Sequence, residues 1–437
     1  MTGIDPQDRM AATDRLAATD RLAALARSAE DRIASLRASL ADRRTDLPLR
    51  YWRQQAHFTT PADNEALARK AAEAGTAATG RLLARWGIEP AELSDRLEVP
   101  LDRVTTLLEA PRRAPLVMLD GEDATALRED ALAESRRVAA LTLRTASWGT
   151  TLRFYRPPGF GLAGAGADLV AVLAAAATGD PATYPVDGIV FPKVEHPEEV
   201  DALYAILDEV EEALSLPHRR IRVGFLVESG WCAAQLPEIA RRAAPRLASL
   251  IYGLADYSAD LGLPEIASDH PLADWVRAEI VNVAGAVGVP SLDGMTLAYP
   301  VADPALDDGA NRERFLDRMA LCHRDAVRAR DLGMTGKWVG HPAQLFATLL
   351  AFDAPAGDAL LDEAAAALEA YRSAVEDDGK GATMIGGAMA DRATDRHARA
   401  VLRRAVAAGR FDPERALALG IIDGREIDEA RALARPS

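Results

Sequence analysis

The sequence predicts an α/β fold, a (β/α)8 barrel with an N-terminal helical arm and a C-terminal helical extension. Three observations predict it. Eight short β-branched or apolar runs lie between residues 57 and 340. Helix-grade, Ala-rich charged segments separate most of them, the pattern of parallel strands joined by crossover helices. Charged residues gather where these runs end, and in a parallel barrel the carboxyl ends of the strands form the functional rim. An open doubly wound sheet is the alternative. No Gly-x-Gly-x-x-Gly follows the first run, however, and GFGLAGAG at Gly159–Gly166 lacks the Lys-Ser/Thr ending of a phosphate loop.

Residues 1–50 form the arm. The hexad AATDRL occurs twice in succession, and no Gly or Pro appears from Gln7 to Asp46. Leu16, Leu22, Leu25, Ile33, Leu36 and Leu40 fit a helical stripe suited to packing or oligomerisation. The barrel spans 51–352. Its predicted strands are His57–Thr60, Leu116–Asp120, Leu152–Tyr155, Gly188–Phe191, Arg222–Val227, Leu250–Gly253, Pro290–Leu292 and Lys337–Gly340. The second unit is oversized: two or three helices are expected between Asp63 and Arg113, with an insert at about 75–113. The last barrel helix is expected from Pro342 to about Phe352, and 353–437 is helical apart from a loop at Asp377–Met389.

Composition narrows the function. The chain has 437 residues, with 51 Lys and Arg against 66 Asp and Glu, a formal charge of −15. No basic tract offsets this balance, which argues against nucleic acid or an anionic membrane and suits a site that concentrates a divalent cation. Cys232 and Cys322 are the two cysteines, too few for a disulfide framework or a Cys-based zinc site. The first residues show no charged-then-apolar signal pattern, and no uncharged apolar run is long enough to span a membrane, so a cytoplasmic protein is expected.

Six or more of the eight strand ends deliver ionisable groups. The second ends in LDGED, giving Asp120, Glu122 and Asp123. The third carries Arg153 and then Arg156; the fourth leads into Lys193 and Glu195; the fifth ends at Glu228. The sixth leads into Asp256 and Asp260, the seventh ends at Asp293, and the eighth reaches His341. Glu228 and Asp256 come from adjacent strands, where two unpaired carboxylates repel and a cation between them resolves the repulsion. Oxygen ligands alone point to magnesium, or manganese, rather than zinc. The fork of Arg153 suits the carboxylate of a 2-oxo acid; a salt bridge to Glu122 or Asp123 is its other reading. Lys193 is an electrostatic partner of the substrate or a barrel salt bridge. His341 is a pocket group or a helix cap, Asp260 a cap, and Trp231 and Cys232 pocket wall or packing. A basic lip for coenzyme A could draw on Arg50, Arg53, Arg112 and Arg113.

These residues lie in strings that resemble the citrate lyase beta-subunit and malyl-CoA lyase group of the HpcH/HpaI aldolase family. The strings are TTPADN (59–64), MLDGEDA (118–124), GIVFPKVEHPEEVDAL (188–203), VGFLVESG (223–230), LIYGLADYSADLG (250–262), GVPSLDG (288–294) and GMTGKWVGHPAQL (333–345). Seven strings in family order, over about residues 52–400, carry the resemblance. It implies a magnesium-dependent barrel of the phosphoenolpyruvate/pyruvate type that acts on an enolate of a 2-oxo acid or acyl-CoA. By match, Glu228 and Asp256 are the metal ligands and Arg153 binds substrate, supported by Glu122 and Asp123, with Asp120, Lys193 and His341 as further substrate-binding candidates. The segment at 379–402 is similar to one that carries an Asp into a neighbouring subunit's site, which makes Asp391 the acid/base candidate and Asp395 the second, with a metal-bound water as the rival, and implies a trimer or hexamer. The implied activity is C–C bond cleavage or formation, with small-molecule hydroxy acids, 2-oxo acids or acyl-CoA as partners. Acyl-CoA hydrolysis or condensation and a non-catalytic metabolite-binding barrel are the alternatives. Two departures stand out: Phe154-Tyr155 follow Arg153 where a small residue and Asn are usual, and Gly121 replaces the Leu of an Asp-Leu-Glu-Asp box.

Overall fold

The computed structural model describes residues 21–37, 46–122, 129–353, 358–378, 382–385 and 388–434. Eight parallel strands close into a barrel: β1 (Ala56–Pro61), β2 (Leu116–Asp120), β3 (Leu152–Arg156), β4 (Gly188–Phe191), β5 (Arg222–Val227), β6 (Leu247–Tyr252), β7 (Ser291–Asp293) and β8 (Gly336–Val339). Closure comes from β1 pairing with β8, with His57 opposite Trp338. The strands are short and apolar because both faces are covered: β2 (LVMLD) is buried along its whole length. The expected strand positions hold, with one consequential extension: β3 includes Arg156.

Helices cover the outside. In Pro197–Ala213 the apolar stripe Val200, Leu203, Leu207 and Val210 turns to the sheet. Its start is fixed by Pro197 and by Glu199, which accepts from the His196 amide at 2.8 Å. Inside the barrel, Phe154 lies over Gly188, where a Cβ would sit 2.6 Å from its ring. His57 packs edge-on against Phe154 at 6.1 Å. Burial, and next the charge of Arg156, push the His57 imidazole down to about 3, so it is neutral.

The enlarged second unit holds four helices rather than two or three: Glu65–Ala74, Ala77–Trp86, Pro90–Leu97 and Leu101–Glu109. The extra break falls at Gly75, whose φ is +49° and where a Cβ would meet the Arg112 carbonyl at 2.1 Å. The C-terminal segment packs its helices Asp358–Asp378 and Arg392–Ala407 together, and a second apolar cluster joins them to Leu49 in the turn Leu49–Arg53. That turn precedes β1, so this segment docks on the amino-terminal floor of the barrel, opposite the rim. Part of the expected loop at 377–389 is an antiparallel hairpin, β9 (Thr383–Ile385) and β10 (Ala388–Ala390). Of the arm, 21–37 is a helix that exposes Leu22, Leu25, Ile33 and Leu36; most of the hexad repeat lies outside the described residues. No helix among the described residues is long and apolar enough to cross a membrane.

Candidate active site

The carboxyl ends of β2 to β6 assemble one buried ionic cluster. Asp120, the last residue of β2, is 3% exposed and takes a two-pronged contact from Arg156, Nε to Oδ1 at 2.7 Å and Nη2 to Oδ2 at 2.6 Å. Glu122 reaches the same guanidinium at 3.1 Å and the Lys193 ammonium at 2.9 Å. The Glu122 amide donates to Asp120 at 3.0 Å. Arg156 also lies over the Trp338 ring at 5.3 Å, and the Trp338 indole N–H bonds to Thr59. Asp120, Glu122 and Lys193 thus meet around Arg156. Asp123 lies outside the described residues.

Arg153 does not join them. It is the second residue of β3, at the floor, where Asp187 immediately precedes β4. There it donates to Asp187 at 3.0 Å, and Arg50 and Arg220 approach the same carboxylate at 3.1 and 3.5 Å. Desolvation would raise the Asp187 pKa, but the charges of Arg50, Arg153 and Arg220 outweigh it and hold the carboxyl below its usual range. Asp187 is therefore the carboxylate that engages Arg153, and the expectation that Arg153 binds substrate is corrected by position. Arg156 occupies the rim instead. The two arginines are three positions apart, which places them on opposite faces of a strand and at opposite ends of this one. The signal in the sequence was position alone: Arg156 is the charge nearer the strand's carboxyl end.

Glu228 follows β5 and is 3% exposed, and its Oε1 accepts the Lys193 amide at 2.6 Å. Lys193 holds a φ of +51° to present that amide. Gly253 lets the next strand end approach, since a Cβ there would sit 2.9 Å from Glu228 Oε2. Asp256 stands in the first turn of the helix Leu254–Asp260. Burial, then Asp256, then Glu122 push the Glu228 carboxyl up to about 8, with the Lys193 amide and Arg156 opposing. The negative field of Asp256 and Glu122 at Glu228 is what a divalent cation would relieve, and the donors are all oxygens. These residues fit magnesium.

The neighbouring groups have structural roles. Asp260 accepts the Gly230 amide at 2.7 Å and Ser229 accepts from Cys232 at 3.1 Å, so both cap the helix Gly230–Ala243. Cys232 is buried packing, whereas Trp231 is exposed. Asp293 is neutralised by Arg277 and Lys337, each at 2.6 Å. His341 caps the helix Pro342–Phe352 by accepting the Ala343 amide at 3.2 Å. Its remaining access is to a 530 Å³ cavity beside the ends of β1 and β8, lined also by Lys70, Arg81, Arg85 and Tyr299. Asp391 caps the helix Arg392–Ala407, accepting the amides of Ala393 and Thr394 through Oδ1. It belongs to the segment docked on the floor and does not meet Glu228 or Asp256 within the chain.

The two departures explain each other. A Cβ on residue 121 would lie 2.4 Å from the Tyr155 hydroxyl oxygen, which donates to Asp168 at 2.7 Å. A large residue at 155 leaves room only for glycine at 121.

Comparison with known proteins agrees with this architecture. Residues 169–435 match the family model described as a domain of unknown function, DUF6986. An L-malyl-CoA/beta-methylmalyl-CoA lyase of Rhodobacter capsulatus is 30% identical over 236 residues, 50% of this chain and 67% of that protein. A citrate lyase subunit beta-like protein of Deinococcus radiodurans is 28% identical over 306 residues, 67% of this chain and 92% of that one. The crystal structure of a citrate lyase from Burkholderia xenovorans LB400 shares the fold with a TM-score of 0.56 and 22% identity, covering 86% of this chain and 97% of that one. The chain belongs to the DUF6986 family and, as an enlarged member, to the malyl-CoA lyase and citrate lyase beta-subunit group.

Proposed function

We propose that this chain is a magnesium-dependent carbon–carbon lyase of the cytoplasm that cleaves or forms a C–C bond through an enolate of a 2-oxo acid or acyl-CoA. One observation carries the reading: buried Glu228, at the rim, lies in the negative field of Asp256 and Glu122, and the buried guanidinium of Arg156 holds Glu122 there. Glu228 and Asp256 would hold magnesium, whose chemistry there is that of a Lewis acid toward carboxylate and carbonyl oxygens. Arg156 supplies fixed positive charge where an oxyanion develops, already oriented by Asp120. Lys193 holds Glu228 through its amide and adds a cation at the mouth through its side chain.

The acyl partner fits the cavity beside β1 and β8, where Lys70, Arg81 and Arg85 suit the phosphates of coenzyme A. Arg50, Arg53, Arg112 and Arg113 lie at the floor end and do not form that lip. Asp391 of a neighbouring copy serves as the acid/base group in a trimer or hexamer. Support comes from the hairpin before it, where Met384 and Met389 pair across the strands and are both about two-thirds exposed (66% and 67%). Apolar groups so placed suit cover by a second copy.

Glu228→Gln is the test. Calorimetric titration should show loss of magnesium binding together with loss of cleavage across a panel of hydroxy acids and their CoA thioesters. Retention of both would overturn the assignment.

A further inference from the structure

The floor of the barrel carries a second cavity, remote from the rim. It measures 680 Å³ and lies where three parts of the chain meet: the turn before β1, the insert helix Leu101–Glu109, and the C-terminal segment around Arg410. Four arginines line it (Arg53, Arg103, Arg112 and Arg410) against two aspartates, Asp102 and Asp353.

Arginines outnumber carboxylates along this lining. Asp353 is engaged by Arg112 through its carboxylate and by Arg410 through its carbonyl, at 3.4 Å. Arg103 donates to the Leu350 carbonyl at 2.5 Å, at the end of the last barrel helix. Arg53 donates to the Thr150 hydroxyl at 2.7 Å, and no carboxylate pairs with it among the described residues. Burial, then Arg112 and Arg50, pull the Arg53 guanidinium down to about 10, with Asp353 alone opposing. Four guanidiniums against two carboxylates around one open volume carry a repulsion that an anion would remove.

We infer that this cavity is an anion site for a small ligand with at least two negative charges, a polycarboxylate or a polyphosphate, bound by the guanidinium forks of Arg53, Arg103, Arg112 and Arg410. Guanidinium forks match both oxyanion types, so the chemistry is shared. Because its walls come from the barrel, the insert and the C-terminal segment, a bound anion ties the three together and stabilises the docking of that segment.

The test is calorimetric titration of the full chain in EDTA at low salt, with sodium pyrophosphate in one arm and tricarballylate in the other. At least one probe should bind saturably and raise the melting temperature; the responding arm identifies the source of the anion. Arg53→Gln keeps a donor for Thr150 and should weaken binding roughly tenfold or more. Arg410→Gln, at the surface of the C-terminal segment, should weaken it likewise if the Arg53 variant folds poorly. Arg156→Gln, at the rim, should leave it unchanged. Failure of both probes, or binding that Arg156→Gln abolishes and the floor variants do not touch, would overturn the inference.

Discussion

Arg153 and Arg156 make a sharp experiment, because a step of three positions along one strand leads from a floor salt bridge to the rim. Replacing Arg156 by Ala removes two bonds to Asp120, at 2.7 and 2.6 Å, and the 3.1 Å contact to Glu122. Both carboxylates stay buried, so the expected loss of stability is about 3–5 kcal/mol. Arg156→Lys is the finer variant: it keeps the charge and loses the fork. We expect it to weaken binding of oxaloacetate to the magnesium-loaded protein by roughly 10- to 100-fold, the value of one charge-assisted hydrogen bond. Arg153→Lys should leave oxaloacetate binding within about twofold, since Arg50 and Arg220 still hold Asp187 and distant sites act independently. Titration calorimetry with pyruvate or oxaloacetate reads this without requiring the natural substrate, and urea denaturation reads the stability. If Arg153→Lys abolished binding and Arg156→Lys did not, the placement of the site on Arg156 would be wrong.

Further outcomes follow from the same cluster. The Glu228 carboxyl, raised to about 8 in the metal-free fold, binds a proton that the unfolded chain releases nearer its ordinary 4.5. Metal-free stability should therefore fall as pH rises between those values, and magnesium affinity should rise over the same range; melting curves in EDTA at pH 5.5 and 8.5 check the first, and Glu228→Gln should flatten the difference. Gly121→Ala should cost about 1–3 kcal/mol in urea denaturation, because its Cβ would meet the Tyr155 hydroxyl at 2.4 Å. Asp391→Asn keeps a good helix cap and removes a proton-transfer group, so kcat should fall roughly 100-fold or more with the melting temperature unchanged. Full activity in that variant would remove Asp391 from the mechanism.

Much of the fold is legible because local chemistry and global architecture agree in this chain. The GFLV run before Glu228 and the VMLD run ending at Asp120 are too short and apolar for anything but buried strands, and both end at the rim as expected. That Glu228 lies within the field of Asp256 follows from strand adjacency. Charge at strand ends is less legible, because a carboxylate can meet a metal or a cation. Asp293 resembles Asp256 in the sequence, yet Lys337 and Arg277 neutralise it. His341 reads in the sequence as a pocket group or a helix cap, and the fold gives it the cap; Asp391 also caps a helix, a role the sequence does not announce. The break at Gly75 depends on the Arg112 carbonyl, 37 positions further along the chain, which no local pattern reveals.

The sequence by itself determined the barrel, its oversized second unit, the helical C-terminal segment and the acidic character of the rim. Those properties reside in periodicity, strand length and residue type, which are local. Tertiary structure decided which arginine belongs to the rim and which to the floor. A strand boundary shifted by one residue and a period-2 alternation settle that choice, and only the closed sheet, with Asp187 beneath and Asp120 above, gives each guanidinium its partner. Tertiary structure also brought the insert and the C-terminal segment together around Arg53, because that cavity is made by parts of the chain about 50, 240 and 300 residues distant from one another or more.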